Sequence, residues 1–365
     1  MVISIQYLRA VAALLVVFFH AVITPKFASQ APNASDAFGA VGVDIFFVIS
    51  GFVMSYTMIR APLAPSEFIL KRIIRIAPAY WIVTILMFVM PLVSKTIAAG
   101  ITMDVSHLVA SLFFVPWFNP LDPSQNNPIY RPGWTLNYEM FFYALFGFGL
   151  MVRPVGRALA MISCCLTALV CVGWILQYFH RQTLFLFYAS FYTSPLLLEF
   201  GLGMLVGWLC VYGKKLSPWV AGCIMAFGFS ILLLRPYESG VEGLRALFWG
   251  LPSGCIVYGA VSIERSLTIP RIGLFRLLGD ASYSIYLTHL FSIGGIFVFF
   301  NRIGVKLQSA NVGLILFVLV SFLVSMFVGV LFHIGIERPL TGALADYSRR
   351  RRVVRSELAS TKATS

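Results

Sequence analysis

The chain has 365 residues, of which 59% are hydrophobic and only 11% charged, with a mean hydropathy of +0.88. Soluble domains carry about 25% charged residues, so this composition excludes a soluble globular protein and points to an all-α polytopic transmembrane helical bundle. The net charge of +13 does not by itself indicate nucleic acid, because the placement of the basic residues decides that question.

The first element is an apolar run from Ile5 to Ile23, long enough to span a bilayer core. Arg9 stands near one end and His20 near the other. Three helical turns and a small remainder separate them, so they share one helix face with their Cα atoms roughly 16 Å apart. Ionisable groups inside a span usually face the bundle interior or a wet cavity. Arg9 also suits snorkelling to lipid head groups, and His20 also suits a hydrogen-bonded core position. Arg9 and Lys26 flank the run and no A-x-A-like site follows, so it reads as a retained span and not a cleaved signal peptide.

Further apolar runs predict about ten spans in all, at approximately 5–24, 41–59, 76–96, 135–152, 158–178, 191–211, 218–234, 244–263, 282–300 and 312–336. The apolar run 105–118 is short and is expected to lie at the interface or to re-enter. One domain, 1–340, holds all the spans, and 341–365 is a basic cytoplasmic tail expected to be disordered after Asp346. The six cysteines all fall in apolar runs without metal-ligand spacing and read as buried small apolar residues.

Basic residues orient the bundle. With the N-terminus in the cytoplasm, the inner segments hold Arg60, Lys71, Arg72, Arg75, Arg153, Arg157, Lys214, Lys215, Arg265, Arg271 and Arg276. The tail adds Arg338, Arg349 to Arg352, Arg355 and Lys362. The outer segments hold fewer, among them Arg131, Arg181, Arg235, Arg245 and Lys306. The bias recurs along the chain, so N-in and C-in is self-consistent, and anionic lipid at the inner face accounts for the charge without nucleic acid.

This topology places His20, Asp44 and Glu139 near the outer ends of spans one, two and four. An imidazole held by carboxylates is what a general base requires, although an acid at a helix N-terminus is favoured in any case. On the inner side, Arg72 and Arg75 share a helix face, and two guanidinium forks suit a phosphate-bearing ligand as well as an ordinary basic flank. His289, in the hydroxyl-rich stretch Ser282 to His289, fits a hydrogen-bonded structural role and a channel-lining role equally. These residues describe a cationic inner mouth, a polar path and a base-like outer cluster. Two classes fit: an enzyme carrying a group from a phosphate-bearing cytosolic donor to an outside acceptor, or a carrier for an anionic solute or glycan intermediate.

Six motifs in order resemble the membrane-bound acyltransferase-3 family. They are Arg9-x10-His20; Gly42-Val43-Asp44-Ile45-Phe46-Phe47 running on to Ser50-Gly51-Phe52; Arg72-x-x-Arg75 with Pro78; Trp134-Thr-Leu-Asn-Tyr-Glu139 through Tyr143; Ser282 to His289; and Glu337-Arg338-Pro339. The opening and the second-span motif look most like the exopolysaccharide acetyltransferase branch. The resemblance covers nearly the whole chain. It implies transfer of an acyl group, usually acetyl from acetyl-CoA, to a sugar hydroxyl of a glycan outside a bacterial inner membrane. It further implies His20 as the catalytic histidine, with Arg9, Arg72 and Arg75 serving the acyl-CoA and Glu139 and Asp44 supporting the active site or acceptor. The expected partners are acyl-CoA, membrane lipids and a polysaccharide or lipid-linked glycan acceptor, with no metal.

Overall fold

The computed structural model describes residues 2–28, 39–121, 126–176, 184–234, 244–305, 307 and 312–363. Among them every regular element is helical. In chain order these are α1 (Ile3–Ala28), α2 (Val41–Arg60), α3 (Pro65–Val89), α4 (Val105–Leu112), α5 (Trp134–Gly149), α6 (Val155–Leu176), α7 (Leu184–Tyr192) and α8 (Leu197–Tyr212). There follow α9 (Pro218–Leu234), α10 (Leu251–Ser266), α11 (Gly273–Asp280), α12 (Ser282–Arg302), α13 (Val312–Phe332) and α14 (Arg338–Ala363). Among the described residues, eight helical segments are long and apolar enough to cross a membrane; α5, with 16 residues, and α9, with 17, are shorter. Arg181, Arg235 and Lys306, assigned above to outer connections, lie outside the described residues.

Two elements differ from the sequence expectation. The third span is expected at 76–96, and the helix that carries it begins earlier, at Pro65. Proline is preorganised for the first helical turn, and Glu67 pairs with Lys71 one turn on (3.1 Å), so the segment is helical although too charged to register as a span. The run 191–211 is broken: α7 ends at Tyr192 and α8 begins at Leu197, with Pro195 in the gap supplying no N–H and clashing with a continuing helix. The last element, α14, is joined to α13 by a π-helical turn, His333–Glu337. Its Ala, Leu, Arg and Glu residues are good helix formers.

Two features set the depth of the site. First, α1 packs against α2, α11, α12 and α13, so its Arg9–His20 face lies inside the bundle. Its N-terminus is fixed by the Glu264 carboxylate, which accepts from the backbone N–H of Ile3 (2.8 Å) and Ser4 (2.7 Å), two donors a helix start otherwise leaves unpaired. Tyr7 secures the same end: its hydroxyl donates to the Pro270 carbonyl and accepts from the Ile272 N–H, each at 2.7 Å. Second, α2 and α8 touch backbone to backbone. A Cβ on Gly51 would fall 2.1 Å from the Phe200 carbonyl oxygen, and one on Gly203 would fall 2.1 Å from that of Val48. Only glycine allows this approach, the usual way for helices to pack tightly where no water drives them together.

Candidate active site

The end of the bundle holding the N-terminus of α1 and the C-terminus of α2 contains a cavity of about 480 Å³. Its walls carry Arg9 from α1, Arg72 and Arg75 from α3, and Glu139 and Tyr143 from α5. Three guanidinium groups thus face one carboxylate in an otherwise mostly apolar and aromatic space. Arg9 belongs to this cavity and not to the lipid boundary. Arg72 lies over the rings of Phe68 (5.4 Å) and Tyr143 (5.8 Å), and its Nε is buried without a hydrogen-bond partner among the described residues. Glu139 accepts from the Ser50 hydroxyl (3.2 Å) and from the Tyr143 hydroxyl one turn further along its helix. Tyr283 ties α12 to α3 by donating to the Ile76 carbonyl (2.8 Å).

The far end of the cavity is closed by Phe46, Thr135 and Tyr286. The Tyr286 hydroxyl is held at 2.7 Å from the Pro132 carbonyl and 2.8 Å from Thr135 Oγ1. Beyond that ring stands a pair of histidines. The His289 ring lies 5.8 Å from that of Tyr286, and the His20 ring lies 4.7 Å beyond His289, edge to face. His289 Nε2 is 3.3 Å from His20 Nδ1. His289 is fully buried, whereas His20 is partly exposed.

The outer cluster of His20, Asp44 and Glu139 expected from depth does not form. Asp44, with 0% exposure, makes a two-point pair with Arg245, Nε to Oδ1 at 2.9 Å and Nη2 to Oδ2 at 3.0 Å. Arg245 also lies over the Trp249 ring (4.9 Å) on the π-helical turn Ala246–Gly250. Glu139 faces the arginines. The cause is azimuth: Val43, Phe46, Phe47 and Ser50 line the cavity, and Asp44 points off a different face of α2. Depth along a helix says nothing about which face a side chain occupies.

His107, for which the sequence offers no pattern, has a structural role. Its Nε2 meets the Asn127 carbonyl (2.9 Å), and Ser111, one turn on, accepts from the Ile129 N–H (3.0 Å). Together they dock the segment leading to Tyr130, whose buried hydroxyl donates to the Tyr286 carbonyl (3.2 Å). Burial lowers the His107 pKa from the ordinary 6.5. Of the residues sequence reasoning passed over, Tyr143 was the most accessible, one turn from Glu139. The His20–His289 contact joins residues 269 apart and left no local trace. Among the described residues no group of three His, Cys, Asp or Glu side chains is placed to hold a metal ion.

The profile of the acyltransferase domain family matches residues 2–334. The chain belongs to the acyltransferase-3 family. It is 36% identical over 260 residues to the exopolysaccharide production protein ExoZ of Rhizobium meliloti (strain 1021), covering 70% of this chain and 77% of that protein. It is 26% identical over 283 residues to nodulation protein 10 of Rhizobium leguminosarum bv. viciae, covering 69% and 71%. It is also 23% identical over 358 residues to acyltransferase MdmB of Streptomyces mycarofaciens, covering 92% and 90%. No solved structure matches the chain significantly. The protein is therefore a multi-pass membrane O-acyltransferase of the exopolysaccharide-related branch, which sets aside the carrier reading.

Proposed function

We propose that this acyltransferase moves an acetyl group from cytosolic acetyl-CoA to a sugar hydroxyl of an exopolysaccharide or other envelope glycan outside the bacterial inner membrane. The observation that carries this reading is the cavity: three guanidinium groups at one end, and an aromatic floor one ring short of His20 at the other. In the proposed orientation, N-in and C-in with α5 and α9 completing ten crossings, the arginines lie towards the cytoplasm. Arg9, Arg72 and Arg75 bind the phosphates of CoA by charge-assisted bonds. The nanometre-length pantetheine arm follows the apolar walls and brings the thioester to Tyr286. A side-chain movement of Tyr286 completes its approach to His20.

His20 acts as general base. It takes the proton of the sugar hydroxyl as the oxygen attacks the thioester carbon. The tetrahedral intermediate collapses with cleavage of the C–S bond, and the departing thiolate takes the proton back from the imidazolium. Glu139 belongs to the donor site in this scheme, offsetting the repulsion among the three arginines while the cavity is empty. Asp44 acts at a distance by fixing α2 against the Arg245 turn.

The exopolysaccharide named in the relative from Rhizobium meliloti supports a glycan acceptor. The test is mass spectrometry of envelope glycans from cells with and without the protein. Loss of acetyl substituents from one glycan, restored by complementation, is the expected result. An unchanged acetylation pattern would contradict the proposed acceptor class.

A further inference from the structure

We infer that His289 is the positioning residue for His20, taking the place that a carboxylate occupies beside most catalytic imidazoles. The inference rests on the reading of His20 as the base and specifies which of its nitrogens works.

Hydrogen-bond directions settle the tautomers. His289 Nδ1 lies 2.6 Å from the Tyr286 carbonyl oxygen, which can only accept, so Nδ1 carries the hydrogen. In a neutral His289 ring, Nε2 is then a bare acceptor, and that nitrogen faces His20 Nδ1 at 3.3 Å. His20 Nδ1 also lies 2.9 Å from the Val16 carbonyl, again an acceptor. Both partners of His20 Nδ1 therefore accept, and its hydrogen is shared between them. The lone pair of His20 is left on Nε2, the nitrogen free to take a proton from a hydroxyl. Proton uptake at Nε2 makes an imidazolium whose Nδ1–H still points at two acceptors. The arrangement performs the orienting half of a base–orienter pair without a buried negative charge, which inside a membrane is costly unless paired.

The placement of His289 is itself supported. The ring is completely buried on α12, and its Nδ1–H is held by the backbone of the preceding turn, which a movement of the Tyr286 side chain leaves in place. The Tyr286 carbonyl thus holds His289, and His289 holds His20. The carboxylates considered from sequence for this task are engaged elsewhere, Asp44 with Arg245 and Glu139 with Ser50 and Tyr143.

The experiment compares His289→Gln and His289→Asn in the full-length protein in nanodiscs. The substrates are acetyl-CoA and alkali-deacetylated envelope polysaccharide. Glutamine can set an amide oxygen where Nε2 stands, while asparagine can bond Tyr286 but does not reach His20. The expected result is a kcat for His289→Asn lower by about 10- to 100-fold, the scale on which outer partners that orient metal-bound histidines act. The KM for acetyl-CoA should stay within about twofold, and His289→Gln should recover most of the kcat. In a His20→Ala background, His289→Asn should cause no further loss, because the two residues act as one unit. Wild-type kcat in His289→Asn overturns the proposal, as does a His289→Gln protein no better than His289→Asn while both are folded and bind acetyl-CoA. If His20→Ala itself keeps wild-type turnover, the base reading fails, and that outcome is separable because it does not involve His289.

Discussion

Replacing Arg72 tests the donor site most quantitatively. Its guanidinium lies over the rings of Phe68 and Tyr143, and its Nε is buried without a hydrogen-bond partner among the described residues, so that N–H is already desolvated and has no protein partner to give up. A hydrogen bond to a charged group contributes about 1.5–3 kcal/mol, which is about 10- to 150-fold in Kd. Arg72→Ala should weaken acetyl-CoA binding by that factor. Arg72→Lys should recover only part of it, because a point charge cannot replace a planar fork over two rings. Calorimetry or filter binding on purified protein in nanodiscs measures this. Acetyl-pantetheine, which lacks the nucleotide phosphates, serves as the control ligand and should bind wild type and Arg72→Ala alike. Equal acetyl-CoA affinity in wild type and variant would refute the assignment, leaving Arg72 as a topology signal. An equal loss with acetyl-pantetheine would mean that the substitution damages the cavity in general.

Three further outcomes are expected. Reporter fusions after Ser348 and near Asn126 should place the first inside and the second outside, and either one on the opposite side contradicts the proposed orientation. Asp44→Ala removes the buried carboxylate from its pair with the partly exposed Arg245 and should destabilise the protein, by less than the about 3–5 kcal/mol of a fully buried pair; Asp44→Ala with Arg245→Met should melt higher than Asp44→Ala alone, and a double variant no better than the single would sink the pairing argument. Because burial lowers the His107 pKa from 6.5, the undocked segment binds protons more readily, so docking is complete above that value and is lost as pH falls below it. Hydrogen exchange at Ile129 and Tyr130, corrected for intrinsic rates, should therefore accelerate as the pH is lowered below 6.5 in wild type, and protection unchanged on acidification would remove His107 from this role.

Much of the bundle is legible because membrane helices declare themselves by long apolar runs. Where the fold departs from that pattern, the apolar run is the wrong instrument. The first turns of α3 are helical because of Pro65 and the Glu67–Lys71 pair, neither of which registers as hydropathy. The gap between α7 and α8 sits inside one apolar stretch and is marked only by Pro195. Within the site, Arg72 and Arg75 can be placed on one side from a spacing of one helical turn, and Arg9 and His20 likewise share a face over three. Asp44 could not be placed, because its partner Arg245 lies 201 residues away and depth does not fix azimuth. The same limit hides His289: its hydroxyl-rich helix is visible in sequence, but its contact with His20 is a property of how α1 and α12 pack.

The central claim is that His20 carries out acyl transfer to a glycan, and the most direct measurement is glycan acetate content in a null strain. The strain is complemented with wild type or His20→Ala at matched membrane levels, with acetyl-CoA binding checked on the purified variant. A general base contributes about 10²- to 10⁴-fold in rate, so the predicted result is acetate restored by wild type and nearly absent with His20→Ala, whose acetyl-CoA affinity is unchanged. Wild-type acetylation supported by His20→Ala would contradict the claim and make His20 a packing residue.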